Sequence, residues 1–155
     1  MRTLVLGWMC VAAAISGCDS AGSATRTECT TMLAAVQAKE TMADKIGFED
    51  DAQLQAAIKE YEDTTMLKNA AFTDATLVGF QQRGTGVYAD IVTSLKEIAG
   101  LLTKSNTFDK AGQNATPEAL AVNQQLSTVA EATVKKVEAA VKFNAEVKSY
   151  CAKHK

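Results

Sequence analysis

Apolar residues recur every three or four positions along most of this chain, a spacing that aligns them on one face of an α-helix. The pattern predicts a first helix from about Thr25 to Ile46, which Gly47 is placed to end. Asp50 and Asp51 can cap a second helix, whose apolar positions continue to Leu67. The inner faces of these two helices would carry Cys29, Met32, Leu33, Val36, Ala43, Ile46, Leu54, Ala57, Ile58, Tyr61 and Leu67.

A tight turn is predicted at residues 69–74, where Thr73 or Asp74 would cap a third helix. The segment contains neither Pro nor Gly, so one unbroken helix through it is the alternative. The third helix should reach about Thr103, because apolar or small residues repeat there about every 3.5 positions. Its inner positions would be Leu77, Gly84, Tyr88, Ile91, Leu95, Ile98 and Leu102.

The last helix has the clearest boundaries in the sequence. Residues 104–115 are polar and predict a loop, after which Thr116, Pro117 and Glu118 supply a cap, a first-turn proline and a first-turn acid. The helix is expected to run from Pro117 to about Cys151. Its inner positions would be Val122, Leu126, Val129, Thr133, Val137, Ala140, Asn144, Val147 and Cys151.

Four helices joined by short connections favour an all-α fold, an antiparallel up-down-up-down four-helix bundle. The first two helices, of about 22 residues each, would be about 33 Å long, and the last two about 46 and 52 Å. The second hairpin should therefore project about 15 Å beyond the first. In this topology the two ends of the chain meet at one end of the bundle.

The amino-terminal residues have a different pattern from the rest of the chain. Arg2 precedes an apolar run from Leu4 to Ile15, and Ser16-Gly17-Cys18 follows it. A charged start, a short apolar run and small residues are typical of a secretory signal, and the run is too short to span a bilayer as a stable helix. The ending resembles the lipobox of bacterial lipoproteins. Ordinary signal cleavage at a nearby position is the alternative.

The lipobox resemblance implies a processing pathway and a location. Type II signal peptidase would remove residues 1–17 as a signal peptide, and the sulfur and new amino group of Cys18 would carry lipid. Residues 18–24 would then be a short flexible tether, and residues 25–155 one helical domain. The protein would be anchored to a membrane of the bacterial cell envelope, facing the periplasm or the cell exterior. Whether that membrane is the inner or the outer one stays open.

Cysteine usage becomes informative once this processing is included. Cys10 would leave with the signal and Cys18 would be lipidated, so Cys29 and Cys151 remain, one near each end of the domain. In an oxidising compartment two such thiols are expected to form a disulfide, with two buried free thiols as the alternative. The predicted topology independently brings these two positions together.

Charge and composition restrict the range of functions. The whole chain has a formal net charge of −2, and the part from Cys18 onward has −3, because Arg2 is the one charged residue before it. No global basic field favours nucleic acid. His154 is the single histidine, and neither a Glu-x-x-His metal motif nor a C-x-x-C-H haem motif occurs. We therefore expect no metal, no cofactor and no catalytic residues.

Two inner positions invite a functional interpretation but favour a structural one. Arg83-Gly84-Thr85-Gly86 is glycine-rich, yet it lacks the preceding strand and the remainder of a phosphate-binding motif. Small residues in a helix more commonly permit close approach between helices or a kink. Asn144, in the last helix, is expected to be a hydrogen-bonded polar residue that sets helix register.

Two surfaces are candidate contact sites. The tip of the second hairpin, about Ile98 to Leu120, could expose Leu101, Leu102 and Phe108 to a partner if the first hairpin does not cover them. The alternative is that Phe108 folds back onto the core. At the opposite end, Lys148, Lys153 and Lys155 could lie near lipid headgroups, or could merely complement the dipole of the last helix.

These predictions favour a non-enzymatic lipoprotein with a structural or protein-interaction role of unknown specificity. It would contact the bilayer through its lipid anchor and another envelope protein through its surface. The alternative is a periplasmic sensor or small-ligand carrier that binds its ligand in the bundle core. An internal cavity would distinguish the two.

Overall fold

The computed structural model describes residues 18–43 and 51–154, and every regular element within them is helical. The elements are α1 (Cys18–Ala43), α2 (Asp51–Glu62), α3 (Thr65–Asn69), α4 (Ala75–Lys110) and α5 (Pro117–Ala152). The all-α prediction is therefore confirmed. The signal peptide, the predicted end of the first helix at Ile46 and Gly47, the capping Asp50 and the terminal Lys155 lie outside the described residues.

Two of the predicted segments before residue 70 differ in the structure. Residues 18–24, expected to be a flexible tether, are the first turns of α1. The predicted second helix is interrupted at Asp63 and Thr64, so that α2 ends at Glu62 and the short α3 follows. The Asp63 carboxylate accepts a hydrogen bond from the Thr65 backbone N–H at 3.1 Å, which holds the chain out of helix at the break.

The later boundaries agree better with the predictions. The predicted turn at residues 69–74 is confirmed, and Asp74 caps α4 by accepting bonds from the backbone N–H groups of Thr76 and Leu77. The α4 helix continues to Lys110 instead of ending near Thr103, so the predicted loop is shorter. Thr116 caps α5 through a bond from Ala119 N at 3.2 Å.

The two long helices, α4 and α5, contact each other at points spread along their length. Arg83 pairs with Glu146, Tyr88 bonds Asn144, and Ser105 bonds Asn123. Residue numbers rise along α4 as their partners' numbers fall along α5, so these two helices are antiparallel. The α2 helix packs on α4, and α1 packs on α5.

A continuous hydrophobic core lies between the helices. Its centre is aromatic: the ring centroids of Tyr61 and Tyr88 are 5.9 Å apart, and Phe143 meets Tyr88 edge-on at 6.2 Å. Gly84 lies against Phe143, and a Cβ added at Gly84 would come within 3.0 Å of the Phe143 ring. This bears out the prediction that the small residue permits close helix approach.

Candidate functional site

A disulfide joins the first described helix to the last turn of the last one. Cys29 of α1 and Cys151 of α5 have their sulfur atoms 2.26 Å apart and their Cα atoms 5.4 Å apart. Both residues are almost completely buried. The predicted pairing of these cysteines is confirmed. We call the region around this bond the disulfide end.

Glu28, next to Cys29, holds the turn before α4. Its carboxylate accepts bonds from the Thr73 hydroxyl at 2.6 Å, the Thr73 backbone N–H at 2.8 Å and the Asp74 backbone N–H at 3.1 Å. The bond from the Thr73 hydroxyl is the main reason that the pKa of Glu28 is lowered, with partial burial opposing it and the two backbone bonds adding to it. Glu28 is therefore held as an anion that ties α1 to α4.

Asp74 links α4 to α5 at the same end. One of its carboxylate oxygens caps α4, and the other accepts a bond from the Tyr150 hydroxyl at 2.8 Å. Burial acts to raise the pKa of Asp74, but the bonds from Tyr150 and from two backbone N–H groups outweigh it, and the pKa is lowered overall. The His154 ring lies 4.6 Å from the Tyr150 ring. The disulfide end is thus a cross-linked junction of three helices.

The basic residues predicted near this end differ in their placement. Lys148 is paired with Glu40 of α1, and its side chain is 45% exposed. Lys153 is exposed and is the C-cap residue of α5. Lys155 lies outside the described residues. Of the predicted basic set, Lys148 and Lys153 are therefore both exposed.

The opposite end, formed by the last turns of α4 and the first of α5, differs from its prediction. Leu101, predicted to be exposed only if the first hairpin does not cover it, is 4% exposed and is therefore covered. Leu102 and Phe108 are half-buried. The exposed large apolar side chain at this tip is Leu120, at 58%.

Three further exposed apolar residues were not singled out from the sequence. Val134 and Val141 on α5 are 45% and 41% exposed, and Met66 on α3 is 51% exposed. The sequence signal was available for α5, since Val134 and Val141 lie seven positions apart and outside the predicted inner positions. Single exposed apolar residues are common on soluble proteins, so they do not by themselves mark a site.

Lys39 is the charged residue that sequence reasoning missed. It is 4% exposed, and its ammonium bonds the backbone carbonyls of Glu60 and Asp63 and, at 3.3 Å, the Glu60 carboxylate. These carbonyls are left without helical partners where α2 ends, so Lys39 serves as a side-chain cap from another helix. Its place on the apolar face of α1, three positions after Val36, was the available signal.

The grooves around the described residues are small or open. One of about 70 Å³ lies beside Lys39, between α1 and the break after α2, and is lined mainly by apolar atoms. Sites for small organic ligands usually measure about 300–1,000 Å³. A depression near Thr103 and Asn106 measures about 290 Å³ but opens broadly to solvent. Neither resembles an enclosed ligand cavity.

The buried polar groups in the core have partners. The Tyr88 hydroxyl donates to the Asn144 side-chain oxygen at 2.7 Å, as expected of a polar residue that sets register. Burial raises the pKa of Tyr88 strongly, so this hydroxyl stays protonated as a donor. Across the part of the chain that the structure covers, no three His, Cys, Asp or Glu side chains are grouped to bind a metal.

Neither the helices nor comparisons with known proteins add a functional assignment. No helix among residues 18–43 and 51–154 is both long and apolar enough to cross a bilayer. No protein-family model, curated protein or solved structure matches the chain.

Proposed function

We propose that this protein is a lipid-anchored lipoprotein of the bacterial cell envelope. The observation that carries the proposal is the sequence of residues 1–18, in which Arg2, the apolar run and Ser16-Gly17-Cys18 occur in lipobox order. The disulfide between Cys29 and Cys151 supports it, because such bonds persist in oxidising compartments outside the cytosol. The lipid would be attached at Cys18, the first residue of α1.

We propose that the domain is an up-down-up-down bundle in which α2 and α3 together form the second of four rods. The order of contacts supports this. Glu28, early in α1, bonds Thr73, which follows α3, whereas Lys39, later in α1, bonds Glu60 of α2. Residue numbers thus rise along α1 as their partners' numbers fall, so α1 runs opposite to the α2–α3 rod. The start of the α2–α3 rod lies near the end of α4, since Asp51 and Lys110 line one groove. The end of the rod lies near the start of α4, since the Gln81 side chain donates to the Leu67 carbonyl. The α2–α3 rod therefore also runs opposite to α4. The α4–α5 hairpin would be the longer one, since each of its helices has 36 residues.

The role we favour is binding of another envelope protein, without catalysis. The feature that supports it is the length of the α4–α5 hairpin, about 54 Å at 1.5 Å per residue, which offers an extended surface away from the disulfide end. The exposed Leu120, in the first turn of α5, would provide apolar contacts at the tip, and the half-buried Leu102 and Phe108 of α4 would add to them.

The second candidate, a periplasmic sensor or small-ligand carrier, needs space in the bundle core. The described core residues favour surface binding instead. Tyr88, Ile91, Leu95 and Ile98 follow one another along α4 and are all fully buried. The 70 Å³ groove beside Lys39 could hold water but is too small for a typical organic ligand.

The lipid anchor can be tested with a matched pair of cysteine variants. The full chain is expressed in a bacterium that is fed a labelled fatty acid, and the product is analysed by intact mass. We expect the wild type and Cys10→Ala to be cut before Cys18 and to carry label, and Cys18→Ala to accumulate as unlabelled precursor. A wild-type chain that is cut elsewhere, or that carries no lipid, would overturn the proposal.

A further inference from the structure

The Cys29–Cys151 bond is a fixed reference point from which the rest of α1 can be measured. The helix begins at Cys18, so eleven positions separate its first residue from Cys29. At 1.5 Å per residue this amino-terminal part of α1 is about 16 Å long. The same disulfide joins Cys29 to the last turn of α5, which ends at Ala152.

The other described elements stop at the level of the disulfide. The α5 helix ends one residue after Cys151, and α4 begins directly after Asp74, whose N–H bonds Glu28. Phe72, in the connection before α4, packs back against the hydrophobic core. Among the described helices, α1 is the one that continues past this level by more than one residue.

The composition of this projecting part leaves it without an apolar face. Between Cys18 and Glu28 the sequence is Asp-Ser-Ala-Gly-Ser-Ala-Thr-Arg-Thr, with no large apolar side chain. Ser23, Ala24, Arg26 and Thr27 are exposed. A helix without an apolar face neither packs on a bundle nor lies in the interfacial region of a bilayer. The Thr27 hydroxyl bonds within the helix, to the Ser23 carbonyl at 3.2 Å.

We propose that residues 18–28 are a rigid helical stalk that holds the disulfide end of the bundle about 16 Å from a lipid surface. This inference rests on the proposed lipid anchor at Cys18. Two ties fix the direction of the stalk relative to the bundle. The disulfide joins α1 to α5, and the Glu28 carboxylate joins α1 to the turn before α4.

The stalk sets two distances that matter for function. The Debye length is about 8 Å at physiological ionic strength, so Lys153, at the disulfide end, would be screened from anionic headgroups. The tip of the α4–α5 hairpin would stand about 70 Å from the anchor, because the 36 residues of α5 add about 54 Å to the stalk. The stalk therefore presents the tip, and not the basic end, to partners.

The test measures height above a membrane and does not depend on lipidation in cells. The chain from Cys18 onward, which contains every described helix and the disulfide, is coupled through the Cys18 thiol to a maleimide lipid in phosphatidylcholine vesicles. A fluorophore on a non-natural amino acid at position 153 or 113 serves as donor, and a headgroup dye serves as acceptor. Energy transfer then reports the heights of the disulfide end and of the tip.

We expect a donor at position 153 to lie about 16 Å above the headgroups, and one at position 113 to show far less transfer. Deleting residues 20–23 should lower the first donor by about 6 Å. Replacing Ala21 and Ala24 by Gly should broaden its distance distribution. Ala115→Gly, in the loop between α4 and α5, is the matched control and should leave it unchanged.

A wild-type donor at position 153 in contact with the headgroups would overturn the stalk, as would a height that the deletion does not change. The same coupled protein still reports the stalk if Cys18 proves to carry no lipid in cells. Failure of the lipid anchor and failure of the stalk are therefore separate results.

Discussion

Lys39 and Asp63 meet across a helix break, where the buried ammonium of Lys39 donates to the Asp63 backbone carbonyl at 2.6 Å. The Glu60 carbonyl bonds the same ammonium. A cation from α1 thus completes the carboxyl-terminal end of α2, where the helix leaves carbonyls without partners. The contact explains how the helix can be interrupted between Glu62 and Thr65 beside the hydrophobic core.

Changing Lys39 to Met should remove this cap while keeping most of the side-chain volume. We expect a loss of about 1–3 kcal/mol in the free energy of unfolding, because buried carbonyls are left unpaired. Urea denaturation followed by circular dichroism measures it. Lys59→Met, at an exposed position of α2, is the control and should change stability little. Equal effects of the two substitutions would contradict the capping role.

Gly84 and Gly86 should respond to alanine with opposite signs. A Cβ at Gly84 would lie 3.0 Å from the ring of Phe143, which is fully buried and held by Phe80 and Tyr88. We expect Gly84→Ala to destabilise the protein by about 1–3 kcal/mol through overpacking. A Cβ added at Gly86 would have no contact within 4 Å, so Gly86→Ala should stabilise α4 by about 0.5–1 kcal/mol. Thermal unfolding of both variants measures the difference, and a stabilising Gly84→Ala would show that Phe143 yields.

Reducing the Cys29–Cys151 disulfide should lower stability substantially. The bond spans 122 positions, and closing so long a loop is worth about 4–5 kcal/mol on chain-entropy grounds. Urea denaturation with and without dithiothreitol measures the loss. The Cys29→Ser, Cys151→Ser double variant should unfold like the reduced wild type and should not respond to the reductant. A reductant effect that persists in the double variant would mean that it acts elsewhere.

Acid should weaken the disulfide end through Glu28. Its pKa is lowered in the folded protein from 4.5, so its contribution to stability is present above pH 4.5 and is lost as pH falls through the folded-state pKa. We expect the melting temperature of the wild type to fall more steeply below pH 5 than that of Glu28→Gln. Glu131→Gln, at an exposed position of α5, should follow the wild-type curve. Parallel curves for wild type and Glu28→Gln would contradict the tie between α1 and α4.

The stalk predicts how binding to anionic vesicles depends on salt. With Lys153 and Lys155 changed to Glu, the lipidated protein should bind such vesicles less tightly than wild type at about 10 mM salt, where the Debye length is about 30 Å. At about 150 mM salt the two proteins should bind equally. Sedimentation with vesicles measures the binding, and vesicles of neutral lipid are the control. A difference that persists at physiological salt would place the basic end against the headgroups.

The sequence by itself determined the features that depend on neighbouring residues. Asp74 and Thr116 cap their helices as predicted, because a capping side chain bonds N–H groups two or three positions away. The all-α fold class was predictable for the same reason, because the three-to-four spacing of apolar residues is also a relationship between neighbours in the sequence. The Cys29–Cys151 pair was also predictable, although distant in sequence, because few cysteines remained and the topology placed them at one end.

Only the tertiary structure decided where the helices are interrupted and which side chains are covered. Lys39 lies on the apolar face of α1, but the carbonyls that make its burial acceptable are 21 and 24 positions away. Leu102 was the expected inner position of α4, but Leu101 is buried and Leu102 only half-buried, and packing against other helices decides which of the two is covered. The helical state of residues 18–24 likewise belongs to α1 as a whole, since an existing helix can extend into residues that would not nucleate one alone.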